Sequence, residues 1–156
     1  MNFVTVTAGG KEYRLKLRAA YMDELEKRIG GALSDKLPEI NRLGLCTDIV
    51  AYAIDPEHYG ESKKTAAQIY EDMIDEGKTL TDYQYLIMDL MVASGFMSAE
   101  AAAAQKSAAE AQTKLAELIA GVEAEKIKEK LKAAQDRIDA EQQSEAAQKS
   151  EAVPKQ

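Results

Sequence analysis

The chain has 156 residues and a formal net charge of −7, with 27 acidic side chains against 20 basic ones. An acidic chain lacks electrostatic attraction to phosphate backbones, which argues against nucleic-acid binding. One cysteine and one histidine leave no internal disulfide and too few ligands for a zinc cluster, and no run approaches the roughly 18 apolar residues of a membrane span.

The composition changes near residue 97. Residues 1–97 contain both phenylalanines and all seven tyrosines, whereas the following residues contain no aromatic side chain and are dominated by Ala, Glu, Lys and Gln. A segment without large side chains lacks the apolar area that offsets chain ordering. We therefore predict a globular domain over 1–97, a long helical extension over 98–147 and a flexible tail over 148–156.

The first residues predict a β-hairpin. Val4 and Val6 alternate with Phe3, Thr5 and Thr7, which is the period of a strand with two faces. Gly9-Gly10 supplies the positive φ angles of a two-residue turn. The return strand then places Tyr13, Leu15 and Leu17 on one face.

Four helices are predicted between this hairpin and Gly95, because apolar side chains recur at spacings of three and four. The first is expected over 18–29, and the second from Pro38 to the Asp55-Pro56 pair, with an interruption near Gly44. The third is expected over 62–76 with Ser62 as its N-cap, and the fourth begins at a cap formed by Thr79 or Thr81. His58-Tyr59-Gly60 is expected in a loop. The resulting fold class is mostly α, with a small N-terminal hairpin (ββαααα) followed by a long C-terminal helix.

The last helix, capped by Ser98, carries a thin apolar stripe. Leu115, Leu118 and Val122 step by three and four, and the same spacing resumes with Ile127, Leu131, Ala134 and Ile138. The five-residue step between the two groups breaks a strict heptad, which favours packing against a partner over a long symmetric coiled coil.

None of the chemically reactive side chains predicts an active site. His58 has no second His, Cys or Ser constellation near it in the sequence, and Cys46 lies on an apolar helical face without a basic neighbour. The acidic run of Glu71, Asp72, Asp75 and Glu76 lacks the alternating ligands of a calcium loop and is typical of a solvated helix face. We expect no catalytic, cofactor-binding or metal-binding residue, and no enzyme activity.

Two stretches within residues 3–97 carry family-like motifs. The first is the hairpin strand 10–17 followed by 22–30, and the second is 69–80 running on to 90–96. The second contains one helix ending in Asp-Glu-Gly and another ending in Ser-Gly-Phe, which is the more specific pattern. In these stretches the chain resembles the small tail assembly chaperones of long-tailed (siphovirus-type) phages and prophages of Gram-positive bacteria. The extension after Phe96 departs from that pattern.

The resemblance implies a function in tail morphogenesis. Chaperones of this family coat the long helical tape-measure protein, keep it soluble and help to recruit tail-tube subunits before they leave. The expected partners are therefore the tape-measure protein and the tail-tube protein, with no nucleic acid and no membrane. The expected location is the host bacterial cytoplasm, with the protein absent from the mature virion. Self-association is expected, because coating a long repetitive ligand favours many weak copies acting together.

Apolar helical stripes are the candidate partner-binding surface. The candidate residues lie on the fourth helix of the domain and on the last helix: Leu86, Leu90, Met91, Leu115, Leu118, Ile119, Val122, Ile127 and Leu131. Two other interpretations remain open. The chain could be a structural or scaffolding component that stays in the particle, or it could be a small enzyme or regulator, for instance an acidic hydrolase using Asp72, Asp75 or Glu76.

Overall fold

The computed structural model describes residues 2–152. Residues up to Lys106 form one compact unit, and the residues from Ser107 onward form a second. The predicted fold class is confirmed, since an antiparallel two-stranded hairpin is followed by helices and by a long C-terminal helix. The buried core belongs to the first unit, because Ala102 is the last buried side chain along the described residues.

The hairpin forms as its sequence predicts. Strand β1 (Val4–Ala8) pairs with strand β2 (Lys11–Leu15), and Ala8 lies opposite Lys11. Gly9 and Gly10 have φ values of 58° and 72°, as a two-residue turn of this hand requires. The inner face of the hairpin packs against the core, with Ala8 and Leu15 fully inaccessible to solvent and Val4, Val6 and Tyr13 partly buried.

The first predicted helix begins later than expected. Ala19–Tyr21 forms a 3-10 turn, and helix α1 spans Met22–Ile29. No side chain caps the start of either segment, and tighter turns are common at such helix ends. Gly30, with φ 79°, ends the helix as predicted.

The second predicted helix is divided differently from the prediction. A short helix α2 (Leu33–Lys36) and a 3-10 turn (Leu37–Glu39) come first, and helix α3 (Leu43–Ile54) follows. The predicted interruption near Gly44 is present at residues 40–42, slightly earlier than expected, and Gly44 itself lies inside the first turn of α3. A tertiary contact stabilises the break, because the carbonyl of Ile40 accepts hydrogen bonds from Cys46 Sγ at 3.0 Å and Gln84 Nε2 at 2.9 Å.

Helix α4 (Tyr59–Asp75) begins before the predicted position. Tyr59 and Gly60 are helical rather than in a loop, and Ser62 is not the N-cap. The buried Ser62 hydroxyl instead donates a hydrogen bond of 2.9 Å to the carbonyl of Asp55. This bond joins the first turn of α4 to the end of α3.

Helix α5 (Leu80–Ala93) starts at a capping box. The backbone N–H of Thr79 donates to Asp82 Oδ2 at 2.7 Å, and its hydroxyl lies 3.0 Å from the same oxygen. This selects Thr79 over Thr81 as the cap. The stripe predicted for this helix is buried in the core: Tyr83, Leu86, Ile87, Leu90 and Met91.

Glycine residues end α4 and α5 in the same way. Gly77 and Gly95 have φ values of 83° and 79°. Each donates its N–H to the carbonyl three residues earlier, and the next residue donates to the carbonyl five residues earlier, over distances of 2.8–3.1 Å. These paired bonds form Schellman motifs, which satisfy the last carbonyls of a helix. The Asp-Glu-Gly and Ser-Gly-Phe sequences therefore act as helix-ending signals.

Helix α6 (Ala99–Glu151) has 53 residues and begins at the predicted Ser98 cap, whose Oγ accepts the Ala101 N–H at 3.1 Å. It continues past the predicted end at residue 147, and residues 153–156 of the predicted flexible tail lie outside the described residues. Its first turns belong to the first unit. Lys106 pairs with Asp89 at 2.6 Å, so this unit extends beyond residue 97.

Candidate partner-binding surface

Three of the candidate partner-binding residues do not form an accessible surface. Leu86, Leu90 and Met91 are 7%, 0% and 1% exposed and pack within the core of the first unit. Their assignment to an accessible surface is therefore corrected. Helix α5 is apolar around most of its circumference, which is the pattern of a helix buried on several sides rather than of one that presents a binding stripe.

The other six candidate residues lie on α6 and are exposed. Together with Ile138 they are between 48% and 67% accessible to solvent. An ordinary protein surface exposes large apolar side chains singly, whereas this one helix exposes seven of them. The exposed members are Leu115, Leu118, Ile119, Val122, Ile127, Leu131 and Ile138.

These side chains form two patches that face different directions. The proximal patch consists of Leu115, Leu118, Ile119 and Val122, and the distal patch consists of Ile127, Leu131 and Ile138. At about 100° per residue, the centres of the two patches are rotated by roughly 140° about the helix axis. The five-residue step between Val122 and Ile127 causes this rotation.

The two patches also differ in charge. Residues 107–125, which carry the proximal patch, contain four glutamates and one lysine, a formal charge of −3. Residues 126–138, which carry the distal patch, contain four lysines and one arginine against one glutamate and one aspartate, a formal charge of +3. The ion pairs found among the described residues all lie between residues 23 and 106, so these charges remain solvated.

A shallow depression lies beside the proximal patch. Gly121 leaves the surface open there, and a Cβ added to it would have no atom within 4 Å. Glycine inside a helix costs about 1 kcal/mol relative to alanine, but it allows another backbone to approach closely. The depression is lined by Lys114, Glu117, Leu118, Gly121, Val122 and Glu125.

The cysteine and the histidine of the first unit make contacts that stabilise the fold. Burial raises the pKa of Cys46 to about 11, so that its thiol is protonated at neutral pH and donates to the carbonyl of Ile40. His58 is exposed, with Nδ1 2.9 Å from Asp55 Oδ2. This hydrogen bond raises the pKa of His58 and lowers that of Asp55. Glu57 donates its N–H to the same carboxylate, so the cluster orders the α3–α4 connection.

Two of the acidic residues at the end of α4 contact the hairpin turn. Glu76 Oε1 accepts the Gly9 N–H at 2.8 Å, and a Cβ added to Gly9 would lie 2.3 Å from Asp72 Oδ2. The interpretation of the whole run as a solvated face was therefore incomplete. Among residues 2–152, no group of three or more His, Cys, Asp or Glu side chains is placed to hold a metal ion.

A polar network that the sequence analysis missed joins α1, α3 and α4. The Tyr59 hydroxyl donates to Asp48, whose carboxylate also pairs with Lys63 at 2.9 Å. The guanidinium carbon of Arg28 lies 3.8 Å from the centroid of the Tyr59 ring. Burial, followed by the hydrogen bond to Asp48, raises the pKa of Tyr59. Asp48 and Lys63 pair with each other and Arg28 packs on the Tyr59 ring, so the network connects the three helices.

Comparison of the chain with protein-family models, with curated proteins and with solved structures found no match. The family resemblance therefore rests on the motifs of residues 3–97. Over the part of the chain that the structure describes, no helix combines the length and apolar character needed to cross a membrane.

Proposed function

We propose that the chain is a non-enzymatic phage tail assembly chaperone. In this role it coats the tape-measure protein, keeps that protein soluble in the host bacterial cytoplasm, helps to recruit tail-tube subunits and is absent from the mature virion. The proposal combines the motifs that resemble this family with the exposed surface of α6.

The motifs support a shared fold rather than a shared binding surface. The residues of the hairpin and of the two glycine-ended helices satisfy backbone groups and fill the core. Because Leu86, Leu90 and Met91 are buried, the proposed contact with the tape-measure protein is assigned to α6. This assignment places partner binding on the segment that departs from the family pattern.

The observation that carries the proposal is the pair of exposed apolar patches on α6. Seven large side chains, each about half exposed, give a helical partner a surface to pack on. A tape-measure protein with long apolar helical faces needs such surfaces, since exposed apolar faces otherwise promote aggregation. Contacts of this size are individually weak, so that many copies hold the partner together and incoming tube subunits can displace them.

The continuous helix α6 also favours a second candidate function. A helix of 53 residues is about 80 Å long, and such an element suits a permanent connector or scaffold within the tail. Purified mature particles distinguish the two functions. A chaperone that leaves during assembly is absent from them, whereas a structural component is present at fixed stoichiometry.

Co-expression with the tape-measure protein encoded nearby tests the proposal. The tape-measure protein is expressed alone, with this chain, and with a truncated chain ending at Lys106, the end of the first compact unit. We expect a soluble complex with several copies of the full chain per tape-measure protein, as measured by chromatography with light scattering. The truncated chain is expected to leave the tape-measure protein insoluble. An insoluble tape-measure protein beside the full chain would contradict the proposal.

A further inference from the structure

We infer that α6 joins copies of this chain head to tail, with the proximal patch of one copy packed against the distal patch of the next. The inference concerns the chain alone and does not depend on the identity of any other partner. It rests on three features of α6: the direction of the two patches, their opposite charge and their size.

The direction of the patches excludes a closed pair of helices. Judged by residue spacing alone, two antiparallel copies would pair Leu118 of each copy with Leu131 of the other. The same register would pair Val122 of each copy with Ile127 of the other. The rotation of roughly 140° between the patches prevents this, because one straight helix contacts only one side of another. Each patch therefore needs its own copy, and contacts between unlike patches produce an open chain or a ring.

The charges select unlike patches over like ones. Pairing two proximal patches would bring together two segments of charge −3, and pairing two distal patches would bring together two segments of charge +3. Pairing a proximal patch with a distal patch places these opposite charges around the apolar contact. Like charges at an interface disfavour the wrong pairing, and unlike charges favour encounter and fix the register.

The size of each patch makes the contact weak. Three or four side chains that are only about half exposed bury much less than the roughly 800 Å² per partner of a standard interface. Gly121 removes a side chain beside the proximal patch and allows a second helix to approach. Self-association is therefore expected to depend on concentration, so that a long helical partner can displace neighbouring copies from the same side chains.

Two complementary variants test the inference. The proximal variant carries Leu118→Gln and Val122→Gln, and the distal variant carries Leu131→Gln and Ile138→Gln. Glutamine is a good helix former, so the helix is retained, as circular dichroism at 222 nm verifies. A control variant carries Ala146→Gln and Ser150→Gln, two exposed positions on the side of α6 that faces away from both patches.

Sedimentation velocity over a range of concentrations provides the measurement. The wild-type chain and the control variant are expected to grow beyond a dimer of the 17.1-kDa chain as concentration rises. Each patch variant alone should associate at least about tenfold more weakly. An equimolar mixture of the two variants should form a heterodimer that grows no further, because only one intact proximal patch and one intact distal patch remain.

Several outcomes would overturn the inference. A distal variant that still dimerises alone, with no heterodimer in the mixture, would show a symmetric contact between proximal patches. The opposite pattern would show a symmetric contact between distal patches, and a wild-type chain that stops at a dimer would show a closed pair. A wild-type chain that stays monomeric would show no contact. Association that does not weaken between roughly 0.05 and 0.5 M NaCl would contradict the charge pairing.

Discussion

Replacing Gly9 with alanine should destabilise the first unit more than the same change at Gly10. Both residues have positive φ, 58° and 72°, which costs an L-residue about 1–2 kcal/mol. Only at Gly9 would the new Cβ meet another group, since Asp72 Oδ2 would lie 2.3 Å away, whereas nothing lies within 4 Å at Gly10. Moving Asp72 off its rotamer adds about 0.5–1.5 kcal/mol. The expected difference between Gly9→Ala and Gly10→Ala is therefore about 1 kcal/mol.

Urea unfolding followed by tyrosine fluorescence measures this difference. All seven tyrosines lie between residues 13 and 85, so the signal reports on the first unit rather than on α6. A double-mutant cycle with Asp72→Ala isolates the close approach, because removing the carboxylate should bring the cost of Gly9→Ala down to that of Gly10→Ala. Equal losses for the two glycine variants, or a loss at Gly9 unchanged by Asp72→Ala, would refute the reasoning.

Three further predictions concern the side chains around α3 and α4. Ser62→Ala should lower the free energy of unfolding by about 0.5–1.5 kcal/mol, because the partly buried hydrogen bond from its hydroxyl to the carbonyl of Asp55 is lost; a change within a few tenths in urea unfolding would contradict this. Cys46, with a pKa of about 11, should react with a disulfide reagent at pH 8 far more slowly in the native chain than in urea, and equal rates would contradict its burial. The pKa of His58 is raised in the folded chain, so its pairing with Asp55 stabilises the fold. This contribution is complete at pH values below the pKa of histidine in the unfolded chain. It is lost as pH rises through the raised pKa of the folded chain. At acid pH the contribution from Asp55 is lost as pH falls through its lowered pKa. NMR titration should show the imidazole pKa falling in Asp55→Asn, and an unchanged value would contradict the pairing.

The elements that the sequence predicted correctly are those set by local signals. The hairpin follows from strand alternation and from two glycines that supply positive φ. The ends of α4 and α5 follow from Gly77 and Gly95, and the start of α5 from the Thr79 capping box. In each case the residues that fix the element are within a few positions of it.

The elements whose bounds differ from the prediction depend on distant residues. The break before α3 is stabilised by Gln84, which is 44 residues away and donates to the carbonyl of Ile40. Ser62 has the side chain of an N-cap but uses its hydroxyl to bind the carbonyl of Asp55, so α4 begins earlier. The contacts of Asp72 and Glu76 with the turn at Gly9 likewise join residues far apart in sequence, and periodicity carries no signal for them.

The sequence predicted an accessible apolar stripe on both α5 and α6, and only the stripe on α6 is exposed. Periodicity finds an apolar stripe on both helices, but it does not say which stripe the fold covers. On α6 the surroundings of the stripe are polar or small, and the side chains remain exposed. On α5 the stripe containing Leu90 and Met91 packs into the core, where α3, α4 and the hairpin surround it. Packing, rather than spacing, separates a buried apolar stripe from an exposed one.

The central claim is that the patches of α6 keep the tape-measure protein soluble. The most direct measurement is the soluble fraction of the tape-measure protein when it is co-expressed with three chains. These are the wild-type chain, the control variant with Ala146→Gln and Ser150→Gln, and a variant that carries the proximal and distal substitutions together. We predict that the wild-type and control chains keep the tape-measure protein soluble, whereas the variant with both patches changed leaves it insoluble despite being folded. A tape-measure protein that stays soluble with this last variant would contradict the account.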